Sequence, residues 1–330
     1  MKFQKILMIG FSKADLGDKD WKRLNKLSKS VFLIPKEDPK IPSHLSNTDC
    51  LLVKLGAAVD QSIIDKTPNL KYIGMFGTGY GRIDTAYAKR KRIAVCNIAG
   101  YSTEGVAELA FGILIEYLRE LERAKSQARK GEYSEATFTG TEIKRKKFGV
   151  IGLGRIGGRI AEIALKGFNA QVSYWSRKRK KRVEEMGIKY KELNSVLKES
   201  DFLSINLSYT PETESFLNRD RIKLIKKGAV IINLAPMELV DIDSLEKRLQ
   251  SSDITFILDH SDELSKEQAK QLSRYKNCIM YPPIGYITKE ATQAKRGMFI
   301  DNLENFLKGS PTNKVNQSSP TGGAGNPRDN

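Results

Sequence analysis

Gly152, Gly154 and Gly157 form a glycine fingerprint near the middle of the chain, between an apolar run at 148–151 and a segment at 155–168 with apolar residues at helical spacing. A strand, a turn and a helix in that order constrain the fold more than any other feature of the sequence. Gly152 permits the tight turn, Gly154 allows the backbone close to a pyrophosphate, and Gly157 lets the helix pack against the strand. The helix N-terminus would face the phosphates. A second strand expected at 170–175 ends in polar residues and completes a dinucleotide-binding context.

A chain of 330 residues has room for two hydrophobic cores. No apolar run approaches the roughly 20 residues that a membrane helix needs, and the N-terminal apolar stretch is too short for a secretory signal, so a cytoplasmic protein without membrane contact is expected. Cys50, Cys96 and Cys278 are far apart and lack histidines at metal spacing. They read as reduced core thiols, and no metal site is expected. The net charge of +17 raises the question of nucleic acid. The basic runs at 89–92, 144–147 and 177–182 carry no interleaved aromatics and no nucleic-acid module, which favours a solvated lysine-rich surface.

Strand-like and helix-like segments alternate from the N-terminus, with strands expected at 5–9, 31–34, 50–53 and 72–76 and a helix at 18–28. The most strongly helical stretch spans 102–130 and is expected to link two domains. Beyond the fingerprint, strands are expected at 170–175, 202–206, 229–234, 254–258 and 278–281. The fold class is therefore α/β with parallel, doubly wound sheets. From Ser310 the composition turns to Ser, Pro, Gly, Asn and Thr, and residues 314–330 are expected to be a disordered tail.

Several local runs share one order. Leu70-Lys71-Tyr72-Ile73 precedes Gly77-Thr78-Gly79 and Ile83-Asp84, and Asn97-Ile98-Ala99-Gly100 precedes Val106-Ala107-Glu108. Further on stand Ser200-Asp201, Thr210, Thr213, Lys227-Gly228-Ala229, Ile232-Asn233, Val240-Asp241 and Leu258-Asp259. With the mid-chain fingerprint, this order resembles the D-isomer-specific 2-hydroxyacid dehydrogenase family over about residues 1–313. The resemblance implies a flavodoxin-like substrate domain from 1–98 and 287–313, into which a Rossmann cofactor domain at 99–286 is inserted, with the active site in the cleft between them. Many relatives are dimers, so a homodimer is expected. The resemblance places Gly77, Thr78 and Gly79 at the substrate, and Lys54, at the end of the strand expected at 50–53, is placed to enter the same cleft. The resemblance also places Arg155, Ile156, Leu207, Thr213 and Asp259 at the cofactor beside Gly152, Gly154 and Gly157, Asp259 meeting the nicotinamide carboxamide.

NAD-preferring dinucleotide folds carry an acid at the end of the second strand, to bind the ribose hydroxyls. Here that strand leads into Ser176-Arg177-Lys178-Arg179, with no carboxylate. Ser176 can donate to a 2′-phosphate and Arg177 can clasp it, so NADP(H) is the favoured cofactor and NAD(H) the alternative.

The family's reaction uses a histidine oriented by a glutamate and an arginine that grips the substrate carboxylate. In this chain Pro236 stands at the arginine position, in Ile232-Asn233-Leu234-Ala235-Pro236, and Pro283 at the histidine position, in Tyr281-Pro282-Pro283-Ile284-Gly285. The glutamate region reads His260-Ser261-Asp262-Glu263, with Glu263 as the nearest match. Proline has no titratable group and donates no hydrogen bond. Loss of general acid-base help alone lowers rates by about 10²–10⁴. Lys54, His260, Glu263 and Tyr286 are the candidates to supply chemistry instead, while His44 reads as a solvated loop residue. Two functions follow. One is an NAD(P)-dependent oxidoreductase with an altered catalytic site, an unidentified small-molecule substrate and negligible ordinary 2-hydroxy acid turnover. The other is a non-catalytic NAD(P)(H)-binding sensor or scaffold.

Overall fold

The computed structural model describes residues 2–54 and 56–316, so the expected tail lies outside the described residues from 317 onward. The chain divides into two compact units, residues 1–101 with the segment from 289 onward, and residues 102–288, a few residues beyond the expected boundaries.

The first unit is a five-stranded sheet of β1 (Phe3–Ile9), β2 (Ser28–Ile34), β3 (Cys50–Val53), β4 (Tyr72–Met75) and β5 (Ala94–Cys96). The order β2-β1-β3-β4-β5, parallel throughout, is that of a flavodoxin-like sheet. Successive residues of β1 feed different cores. Leu7 and Ile9 pack with Val53 and Ile73, whereas Ile6 and Met8 pack with Leu52 and Tyr72. Burial on both faces explains why β3 and β4 are continuously apolar and do not alternate with polar residues. The C-terminal helix Lys289–Leu307 closes one face with Phe299, Ile300 and Leu303.

The second unit holds β6 (Lys147–Ile151), β7 (Gln171–Trp175), β8 (Lys189–Tyr190), β9 (Phe202–Ile205), β10 (Ala229–Asn233), β11 (Ile254–Leu258) and β12 (Cys278–Met280). Their order is β12-β11-β10-β9-β6-β7-β8, again parallel. Counted from β6, this is the doubly wound order of a Rossmann sheet extended by one strand. The order in which strands are added reverses between β6 and β9, so the carboxyl ends of these parallel strands frame the expected ligand crevice.

Four local expectations need correction. The helical stretch at 102–130 is two helices, Thr103–Leu118 and Leu121–Arg129. They break where Glu120 takes a left-handed conformation (φ 50°) and the Leu118 carbonyl accepts the Thr141 N–H. The short strands β5 and β8 escaped sequence reading because three and two residues are too few to show a period. His44 lies on a short helix, Ile41–Leu45, with its ring 5.7 Å from that of Phe32. Lys314, Val315 and Asn316 are ordered, contrary to the expected tail. Val315 N–H donates to Val95, and the buried Asn316 amide accepts from Val95 N–H (3.0 Å) and donates to Ile93 (2.7 Å). Among the described residues no helix is long and apolar enough to cross a membrane.

Candidate functional site

The chain leaves β6 and turns at Gly152 with φ +90°, a conformation that favours glycine. A Cβ there would stand 2.6 Å from the Asn206 carbonyl oxygen and 3.0 Å from the Leu207 side chain. At Gly157 a Cβ would stand 2.0 Å from the Gly152 carbonyl oxygen, so the helix rests directly on the turn. Gly154 is the opposite case, with no atom within 4 Å of its would-be Cβ. It precedes the helix Arg155–Lys166, whose N-terminus no side chain caps. Ile156 packs against the core while Arg155 is exposed. A turn, a close approach and an open, uncapped helix N-terminus together fit a pyrophosphate.

Beyond β7, Arg177 and Lys178 are exposed. Ser176 donates its hydroxyl to the Lys178 carbonyl (2.6 Å), so it is not the free donor expected from sequence. Arg179 is committed elsewhere, paired with Glu184 and set over the Tyr190 ring. Thr213 knits its own loop, donating to the Ser208 carbonyl (2.8 Å) and accepting the Thr210 N–H (2.7 Å). In the same loop a hydrogen bond from Thr210, with a smaller contribution from the Arg177 charge, holds Glu212 below the usual carboxylate range.

The buried Asp259 follows β11 directly. Its Oδ2 accepts the Gly285 N–H at 3.2 Å, and its Oδ1 is buried without a hydrogen-bond partner. Burial pushes this carboxyl above its ordinary value. The next residue, His260, places Nε2 3.5 Å from Asp259 Oδ1 and Nδ1 3.4 Å from Glu263 Oε1. Glu263, also pushed up by burial, accepts the Met237 N–H through Oε2 (2.8 Å). Pro236 immediately precedes Met237. At the end of β10, Asn233 donates to the Ala235 carbonyl (3.0 Å), and its own Oδ1 is a second buried acceptor without a partner. Buried acceptors of this kind call for a donor from outside the chain. The carboxamide of a nicotinamide has the NH₂ to supply one, so the Asp259 end and the glycine cradle both fit a nicotinamide dinucleotide.

The structure therefore brings His260 and Glu263 together and leaves Tyr286 out, exposed and in none of these contacts. Lys54 belongs to the first unit, at the end of β3, where its ammonium pairs with Asp15 at 2.7 Å. In that unit residues 77–79 follow β4. The Ile98 N–H and the Asn97 side chain grip the carbonyls of Gly77 and Thr78, while the Thr78 hydroxyl donates to Ile98. Among the described residues the N–H groups of Gly77, Thr78 and Gly79 have no acceptor, an arrangement suited to an oxyanion. Sequence reading missed Asn233, Asp15 and Lys295. Asn233 stood in plain view within a family run, but its orphaned oxygen depends on the turn that follows β10.

The pattern of the D-isomer specific 2-hydroxyacid dehydrogenase NAD binding domain matches residues 111–285. The glyoxylate reductase of Thermococcus litoralis is 33% identical over 299 residues, covering 85% of this chain and 89% of that protein. The D-lactate dehydrogenase of Aquifex aeolicus, solved with NAD and lactic acid, superposes with a TM-score of 0.83 at 27% identity, over 95% of this chain and 100% of the other. An acyclic imino acid reductase, solved with NADPH and D-Arg, gives a TM-score of 0.82 at 27% identity over 94% and 100% of the two chains.

Proposed function

The chain belongs to the D-isomer-specific 2-hydroxyacid dehydrogenase family, and from that premise we propose that it is an NADP(H)-preferring oxidoreductase whose acid-base centre has moved to His260. The observation that carries this reading is the row Asp259, His260, Glu263, in which one imidazole lies within 3.5 Å of two carboxylates. A histidine so placed is oriented for proton transfer, and Glu263 takes the orienting part. Pro236 and Pro283 stand where the family carries its arginine and histidine, so ordinary turnover of glyoxylate, hydroxypyruvate or pyruvate is expected to be weak.

Gly152, Gly154, Arg155, Ile156, Gly157, Leu207, Thr213 and Asp259 would hold the dinucleotide, with Ser176, Arg177 and Lys178 beside a 2′-phosphate. When bound, its nicotinamide supplies or accepts the hydride. His260 would hold or release the proton at the substrate oxygen or nitrogen. The free amides of residues 77–79 and Lys54 would seat a substrate carboxylate. An imino acid is a reasonable alternative to a 2-oxo acid, given the NADPH-bound imino acid reductase among the structural relatives.

The test is NADPH and NADH oxidation with a panel of 2-oxo acids, alone and with ammonia or an amine, using the wild type and His260→Gln. Turnover with NADPH that falls about 10²–10⁴-fold in the variant, with unchanged NADPH affinity, is the expected result. Undiminished turnover in His260→Gln would overturn the assignment. Tight NADPH binding with no turnover on any substrate would favour the sensor reading.

A further inference from the structure

In the first unit, cations outnumber carboxylates beside the loop with the free amides. Lys54 pairs with Asp15 at 2.7 Å, and the Arg296 guanidinium donates to the carbonyls of Ala14 and Asp15 (both 2.9 Å). Lys295, one residue earlier on the same helix, is half-buried and has no carboxylate partner among the described residues. Its ammonium lies 4.3 Å from the centre of the Phe76 ring and 5.5 Å from that of Tyr101. Burial and the nearby Lys54 charge push Lys295 below the ordinary lysine value, with Asp15 offsetting part of the effect. Aromatic faces compensate an ammonium only partly, by roughly 0.5–2 kcal/mol.

Phe76 immediately precedes Gly77, so Lys295 packs on the residue that leads into the three free amides. Lys54 also lines a cavity of about 390 Å³ with Phe11, Ser12, Lys36 and the carboxylates Asp15 and Glu37. That cavity lies at the carboxyl ends of β1, β2 and β3, where the strand order of a sheet like this one reverses and ligands bind. A single carboxylate is served by the amides of residues 77–79. The two ammonium groups exceed that need.

We propose that Lys54 and Lys295 form a seat for a second anionic group, so that the substrate is a short dianionic acid bearing a terminal carboxylate or phosphate. This rests on the reading of the chain as a 2-oxo or 2-hydroxy acid enzyme and narrows it to a substrate class. Asp15 holds Lys54 in place until the anion arrives, and Arg296 fixes the Asp15 loop through its two carbonyl contacts. The cation on Lys295 gains the oxyanion partner that the protein itself withholds.

The test is calorimetric titration of the full chain, saturated with NADP⁺, with D-lactate, D-malate and 3-phospho-D-glycerate, for the wild type, Lys295→Met and Lys295→Arg. D-malate or 3-phosphoglycerate is expected to bind at least tenfold more tightly than D-lactate, and which of them prevails distinguishes carboxylate from phosphate. Lys295→Met is expected to erase that preference and Lys295→Arg to restore most of it. Should the methionine variant fail to fold, judged by its melting curve, Lys54→Met must erase the same preference. Equal affinity for monoanion and dianions in the wild type, or a preference that survives both methionine variants, would overturn the proposal. Because the readout is binding, a Lys-dependent dianion preference without turnover would sink the catalytic reading alone. Turnover of monoacids without that preference would sink only the dianion seat.

Discussion

Asp259 and Gly285 are matched to each other: the Gly285 N–H donates to Asp259 Oδ2 at 3.2 Å, and a Cβ on residue 285 would stand 2.8 Å from that same oxygen. The glycine thus satisfies one carboxylate oxygen, while the other is buried without a hydrogen bond and faces His260 Nε2 at 3.5 Å. Asp259→Asn should separate the two consequences. Burial raises the folded-state pKa of Asp259, so the folded protein binds this proton more tightly than the unfolded chain. Its contribution therefore favours folding at low pH and is lost as pH rises through the raised value. The asparagine variant should match the wild type in melting temperature near pH 4 and exceed it near pH 8, because an unpaired buried polar group costs about 1–3 kcal/mol. NADPH affinity should fall about tenfold, since the carboxamide then donates to a neutral amide oxygen in place of a charged carboxylate. A melting difference that does not change with pH would contradict this account.

Gly157→Ala probes the cradle. The added methyl would have to displace the Gly152 carbonyl from a separation of 2.0 Å, which moves backbone and not a flexible side chain. Destabilisation of about 1–3 kcal/mol or more is expected, together with loss of measurable NADPH binding by fluorescence titration. Gly154→Ala, with nothing within 4 Å, should melt like the wild type and still weaken the cofactor. Equal melting points for the two variants would be the contrary result.

The contrast between these glycines shows what the sequence can and cannot carry. The fingerprint, both parallel sheets and most strands were legible because each rests on local spacing or on a continuous apolar run, as in β11, where all of Ile254–Leu258 is buried. The reading of Pro236 and Pro283 rests on the family resemblance and not on spacing. What escaped depends on side chains meeting across long stretches of chain. Glu263 reaches Met237 N–H from 26 residues away. Lys295 meets Phe76 only because the C-terminal helix folds back onto the first unit, which helical spacing alone does not reveal. Ser176 was misjudged for a more local reason, since its hydroxyl closes a turn onto Lys178 that residue type cannot specify.

Cofactor choice should turn on Arg177. Exposed and followed by the exposed Lys178, it stands where an acidic residue would repel a 2′-phosphate, and Arg179 is already held by Glu184. Arg177→Ala should weaken NADPH by about 10- to 100-fold, as expected for a charge-assisted contact of roughly 1.5–3 kcal/mol, and leave NADH within about twofold. Parallel dissociation constants for both cofactors measure this directly. Equal losses for NADPH and NADH would mean that Arg177 does not read the phosphate.

The proline positions admit a gain-of-function test. Pro236 has φ −52° and ψ 141°, a conformation open to most residues, so arginine fits there without backbone strain. Pro283 is half-buried, and Gly285, two residues further on, already anchors Asp259. Pro236→Arg combined with Pro283→His would introduce a carboxylate clamp and a proton donor at the two positions that the resemblance assigns to them. Glyoxylate reduction by the double variant should exceed that of the wild type by about 10²-fold or more, with each single variant gaining less, because clamp and acid act on the same substrate. The measurement is kcat/KM for glyoxylate with NADPH across pH 5–9, where the new histidine should introduce a descending limb as its proton is lost. A double variant that folds, binds NADPH and gains nothing would show that the two prolines do not occupy the family's catalytic positions.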